Sequence, residues 1–179
     1  MPPPLRKRNA MLTTGDLFHR VPAFTALGLL TIAALHDIGF RTLPDAISVS
    51  LLGCGTALHL AAGDLGLAML AAFTVFTLTL LVWQAGALGG GDTKLLGATA
   101  LAVPFAAIPM LLLCTALAGG VLALGFLALR PVVSAAPGRR PAILLARVLR
   151  TEAWRIRRRG PLPYAVAIAT GGAVSLLSG

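Results

Sequence analysis

The sequence predicts an all-α, polytopic membrane protein of about six transmembrane helices. Three observations carry that expectation. The 179-residue chain is 57% hydrophobic and only 12% charged, and a soluble domain carries roughly 25% charged residues to cover its surface. Its mean hydropathy of +0.87 is reached through long uncharged runs rather than an even spread. Glycine, proline and aspartate punctuate those runs, and the basic residues collect at their ends.

The first run extends from Val21 to His36, behind a basic tail over 1–20. A small-residue cleavage site does not follow it and further apolar runs do, so it reads as a retained first helix rather than a removable signal. Met11 offers an alternative start. The segment from Asp37 to Asp45 interrupts the run; Pro44 disfavours helix at Leu43, and Asp45 is placed to cap the second helix, Ala46 to Ala62. Gly63-Asp64 breaks that run and Asp64 is placed to cap a third helix, from Leu65 to about Leu88. Gly89-Gly90-Gly91-Asp92 ends the third.

From Leu95 to Leu129 no charge occurs over 35 residues. One helix of that length would measure about 52 Å against a hydrocarbon core of ~30 Å. Pro104 and Pro109 split it into a short fourth helix, about Asp92 to Val103, and a fifth, about Ala107 to Leu129. A basic stretch over 130–160 holds nine arginines; Ile143, Leu144, Val148 and Ile156 among them suit either an interfacial helix on anionic lipid or a solvated loop. Pro161 and Pro163 open the last run, to Leu177. The domain is thus expected to be a single unit over 21–179.

The formal net charge of +9 does not point to nucleic acid, because no recognition motif accompanies it. It is the pattern of loops at a cytoplasmic membrane face. Arg41, Lys94 and the nine arginines place eleven bases after the odd-numbered helices, against four (Arg6, Lys7, Arg8, Arg20) on the other side. That count puts the odd-numbered loops in the cytoplasm. Cys54 and Cys114 lie inside apolar runs with no Cys/His cluster, and His19, His36 and His59 form no ligand set, so neither a metal nor another cofactor is expected.

Two acids stand out. Between Asp37 and Asp92 the chain crosses the membrane twice, so both fall at the same face. Two carboxylates in a low-dielectric, partly wet site share a proton, one pKa rising and the other falling. The ionised member then takes a proton from water while the protonated one polarises a scissile carbonyl. That is aspartic-protease chemistry. Read singly, Asp37 also fits the end of a first helix and Asp92 the N-cap of a fourth. The three glycines before Asp92 favour chemistry, since side-chain-free backbone admits a close neighbour.

Gly89-Gly-Gly-Asp92-Thr-Lys94 resembles the GxGD motif, with its following lysine, of the aspartic prepilin peptidases. Asp37 to Asp45 is similar to that family's other motif: an aspartate after helix one, a basic residue (Arg41) and an apolar-Pro-Asn step, here Leu43-Pro44-Asp45. Leu162-Pro163-Tyr164 resembles the apolar-Pro-Tyr segment opening the family's last helix. The resemblance implies Asp37 and Asp92 as the catalytic pair, Gly89 and Gly91 as motif glycines, Lys94 in support, and Asp45 and Tyr164 lining the site. It implies no cofactor or metal. It implies a prepilin substrate, cut at the cytoplasmic boundary of a bacterial inner membrane just before its apolar helix. The lack of a cysteine-rich cytoplasmic region resembles the short, single-domain branch associated with Flp-type (Tad) pili, for which methylation is not expected. Against these stand two other classes: a non-enzymatic membrane scaffold with the acids as caps, and a small transporter with the acids carrying protons. The transporter is disfavoured by the absence of repeated halves and of mid-membrane acids.

Overall fold

A computed structural model describes residues 5–131 and 162–178, with side chains from residue 21 onward. Within them the chain is helical throughout and no strand occurs. The helices are α1 (Leu5–Phe40), α2 (Asp45–Ala62), α3 (Leu65–Gln84), α4 (Gly90–Ala102), α5 (Ile108–Leu129) and α6 (Tyr164–Ser178), with a 3-10 turn, Phe105–Ala107, between α4 and α5. The all-α expectation therefore stands. The segment 132–160, for which a basic loop or interfacial helix is expected, lies outside the described residues.

Among the described residues, four stretches are long and apolar enough to cross a bilayer: Val21–Phe40, Asp45–Ala62, Leu65–Gln84 and Phe105–Leu129. That is fewer than the six expected. At ~1.5 Å per residue, α4 with 13 residues and α6 with 15 reach about 20 and 22 Å, short of a ~30 Å hydrocarbon core.

The short fourth helix is the centre of the molecule. Helices α2 and α3 pack along it, α6 and α1 touch it from the other side, and α6 lies between α1 and α5. Nine of its thirteen residues, Thr93 and Leu95 to Ala102, are buried. A helix apolar all round is one buried all round, which is why α4 shows no apolar stripe. Small residues let its neighbours come close. A Cβ at Gly55 of α2 would lie 2.5 Å from the carbonyl oxygen of Leu101, and one at Gly97 would lie 3.0 Å from Phe76 of α3. In a bilayer such close backbone approach supplies the van der Waals contact that holds helices together.

Several helix ends differ from the sequence reading. α1 begins at Leu5, within the expected basic tail, and continues through Asp37 to Phe40. Asp37 therefore sits inside the last turn instead of interrupting the helix. Arg41, at φ 56°, ends it in the left-handed region, and its N–H donates to the Asp37 carbonyl at 2.9 Å. Asp45 is not the cap of α2. Pro44 holds that position and the Asp45 side chain caps nothing, because its carboxylate is paired with Lys94 at 2.9 Å. Asp64 does occupy the N-cap position of α3, where its backbone carbonyl accepts from Leu67 and Ala68. Its side chain turns to His59 Nδ1, 2.7 Å away. Asp92 is not an N-cap either: Gly89 is, and Asp92 is the third residue of α4.

Candidate active site

At one end of the bundle the C-terminus of α1 meets the N-termini of α2, α4 and α6. Asp37, Arg41, Leu43, Asp45, Gly89 to Asp92, Lys94 and Leu162 line a polar cleft of about 430 Å³ there. Residues separated by 55 positions are thus brought to one site, as the two membrane crossings between them require.

Each acid is held by the backbone of a helix start. Asp37, only 6% exposed, accepts a hydrogen bond at Oδ2 from the Ala165 N–H, 3.2 Å away. Ala165 is the second residue of α6, whose opening N–H groups lack partners within the helix. Asp37 thus serves the last helix as an anionic cap supplied from the first, in the orientation the helix dipole favours.

Asp92 folds back over its own helix start. Its carboxyl takes a hydrogen bond from the Gly89 backbone, the reach of a third residue to the N-cap seen in capping boxes. That return path explains Gly89, because a Cβ there would lie 2.6 Å from Asp92 Oδ2. Thr93 closes the same turn, both its N–H and its hydroxyl donating to the Gly89 carbonyl at 3.0 and 3.1 Å. Gly91 serves the other motif: a Cβ there would stand 3.3 Å from Leu43 Cβ, in the turn that follows Asp37. Gly91 thus lets the start of α4 lie against the α1–α2 turn, and Gly89 leaves room for the Asp92 carboxylate.

The electrostatics of the cleft bear directly on Asp92. Burial, followed by the nearby Asp37 carboxylate, pushes its pKa up from 3.8 to about 6, while the Gly89 bond and the Arg41 guanidinium oppose the rise. Burial and a like charge are the two causes that keep a carboxylic acid protonated near neutrality.

The remaining expected residues surround this pair. Lys94 stands at the cleft rim, 54% exposed, with its ammonium on Asp45. Tyr164 opens α6 and lies within reach of the charge on Asp92; its ring packs on Gly119 of α5, where a Cβ would come within 2.8 Å. His36 does not face Asp37. Its Nδ1 donates to the Thr42 carbonyl at 2.6 Å and tethers the α1–α2 turn. Among the described residues no group of three His, Cys, Asp or Glu is arranged for a metal.

Two features escaped the sequence reading. Arg41, expected as a loop charge and a motif position, lines the cleft and its guanidinium lies 6.0 Å from the Phe126 ring centroid at the end of α5. At the opposite end of the bundle, His59 is 2% exposed. Its ring bridges Asp64 at 2.7 Å and the Val103 carbonyl at 3.3 Å, joining the end of α2 to the start of α3 and the end of α4. A lone histidine in an uncharged run, with an aspartate at the next turn, was the available signal.

The fold and the site define an integral membrane protein with paired aspartates in a cleft at one end of a helical bundle. The model of the type IV leader peptidase family matches residues 24–124, a stretch holding both aspartates and both motif glycines. The match covers more than half of the chain, and the chain belongs to that peptidase family. It ends before α6, yet the Ala165 bond to Asp37 makes the start of α6 part of the same site. No curated protein and no solved structure matches the chain.

Proposed function

We propose that the chain is an aspartic endopeptidase that removes the leader of Flp-type prepilins at the cytoplasmic boundary of the bacterial inner membrane. Family membership gives the leader peptidase activity and the prepilin as substrate class. The observation that carries the aspartic mechanism is the shared cleft of Asp37 and Asp92, with Asp92 held near pKa 6 by burial and by Asp37. In this reading Asp37 is the ionised member and takes a proton from the attacking water. Asp92, protonated, donates to the scissile carbonyl oxygen; when the tetrahedral intermediate collapses, Asp37 passes the proton it took from water to the leaving amine and Asp92 recovers its own from the hydroxyl. Neither step calls for a metal or another cofactor.

The cytoplasmic placement rests on charge. Arg41 and Lys94 lie at this end of the bundle, and the count of bases after the odd-numbered helices in the sequence, the nine arginines over 130–159 included, favours the cytoplasmic side. A positive excess there also suits anionic lipid. Lys94 and Asp45 act in support, their ion pair fixing the rim of the cleft. Gly91 sets the approach of α4 to the α1–α2 turn, and Gly89 leaves room for the Asp92 carboxylate.

The test is cleavage of a co-expressed Flp-type prepilin in membranes, read as a mobility shift at matched accumulation. Asp37→Asn and Asp92→Asn each abolish it, and Asp45→Asn retains it. Cleavage that survives either of the first two substitutions rejects the pair. Failure of the unaltered protein on a range of Flp-type prepilins rejects the substrate assignment.

A further inference from the structure

Helices α2 and α3 both pack along α4 but scarcely touch each other. They leave between them an apolar groove of about 460 Å³, walled by Val49, Leu52, Met69 and Phe73 and floored by Gly97 and Ala98. The walls are unpartnered: Val49 is 64% exposed, Met69 55% and Phe73 67%. Exposed apolar side chains are ordinary on a surface facing lipid. This groove differs from the exposed face of α5 in two ways. It is concave, with a floor of small residues beside the Phe76 side chain, which rests on Gly97. It also adjoins the catalytic cleft, since Asp45 and Lys94, paired at 2.9 Å, line both cavities.

We infer that the groove seats the first turns of the substrate's apolar helix, delivering the peptide bond before it past the Asp45–Lys94 pair to Asp37 and Asp92. The inference rests on the peptidase reading and adds a docking surface to it. The polarity matches along its length. The cleft end carries the charged groups, and the groove below is apolar down to Leu52 and Leu101. A chain that is polar around its cleavage point and apolar immediately after it fits that sequence of surfaces. From Asp45 to Leu52 the groove follows about two helical turns, roughly 10 Å. Anchoring those turns fixes the register of the bond above them, and register is what an endopeptidase needs from contacts remote from the reacting atoms. Helix α4 would then have two duties, carrying Asp92 on its first turn and supplying the floor through Gly97 and Ala98.

Disulfide mapping in membranes tests this. In a background of Cys54→Ala and Cys114→Ala, single cysteines are placed at Val49 and Met69 in the groove and at Val121 and Leu124 on the exposed face of α5. Each also carries Asp92→Asn to hold the substrate uncut. The partner is an Flp-type prepilin with one cysteine moved stepwise through the first two turns of its apolar helix. Crosslinks at Val49→Cys and Met69→Cys are expected, recurring every three to four substrate positions, with at least tenfold less at Val121→Cys and Leu124→Cys. Equal crosslinking at the α5 positions overturns the docking surface, and so does its absence from the groove, which would leave the groove to lipid acyl chains. Cleavage by the cysteine-free protein with Asp92 intact separates the two readings. If it cuts the prepilin while the crosslinks fall elsewhere, only the groove assignment fails; if it cuts nothing, both fail.

Discussion

The pH dependence of cleavage puts the Asp92 assignment at greatest risk. The perturbation is pH alone, and the magnitude follows from the raised pKa of about 6. If Asp92 must be protonated to polarise the carbonyl, the competent fraction is about nine-tenths at pH 5, half at pH 6, one-tenth at pH 7 and one-hundredth at pH 8. The sign follows from the cause. Burial and the Asp37 charge disfavour ionised Asp92, so its protonated form persists above the ordinary carboxylate range and is lost as pH rises through 6. The assay is kcat/KM for a purified prepilin in detergent or vesicles between pH 4.5 and 8, with two leader sequences to separate titration of the substrate. A descending limb near pH 6 with unit slope is expected for both. A flat profile between pH 5 and 8, or a rate that rises through that interval, would refute the assignment of Asp92 as the protonated partner.

Three further outcomes follow from particular contacts. Gly89→Ala places a Cβ 2.6 Å from Asp92 Oδ2, so the carboxylate must shift; it should lower kcat by about 100-fold, the scale of a 1 Å misplacement of a reacting group, while the melting temperature in detergent stays near that of the parent; equal kcat would contradict the geometry. His59→Leu strips the Asp64 and Val103 bonds from a buried position and should cost about 1–3 kcal/mol of stability, read by circular dichroism on heating, with cleavage preserved at low temperature; an unchanged melting curve would remove His59 from the list of structural ties. Gly55→Ala meets the Leu101 backbone, which cannot swing aside as a side chain can; a loss of about 1–3 kcal/mol from overpacking is expected, whereas Gly53→Ala, which meets nothing within 4 Å, should be silent.

The sequence by itself determined the membrane class, most helix boundaries and the placement of Asp37 and Asp92 at one face. These depend on local properties: long uncharged runs, breakers between them, and the parity of crossings, which places two distant acids on one face whatever the packing. It also located the motif glycines, though without a reason for each. Only the tertiary structure decided that the short α4 is central and surrounded, since an uncharged run reads alike whether its neighbours are lipid or other helices. The partners of the acids at the helix starts were decided there too. Asp45, a natural cap by residue type, forms an ion pair with Lys94, 49 residues away, and Asp37 caps α6, 128 residues further on. A capping preference is a local tendency of about 1 kcal/mol, and a partner brought in from another helix readily overrides it. The bridge through His59 and the raised pKa of Asp92 have the same origin: both arise from burial and from charges or carbonyls that are neighbours in space but not along the chain.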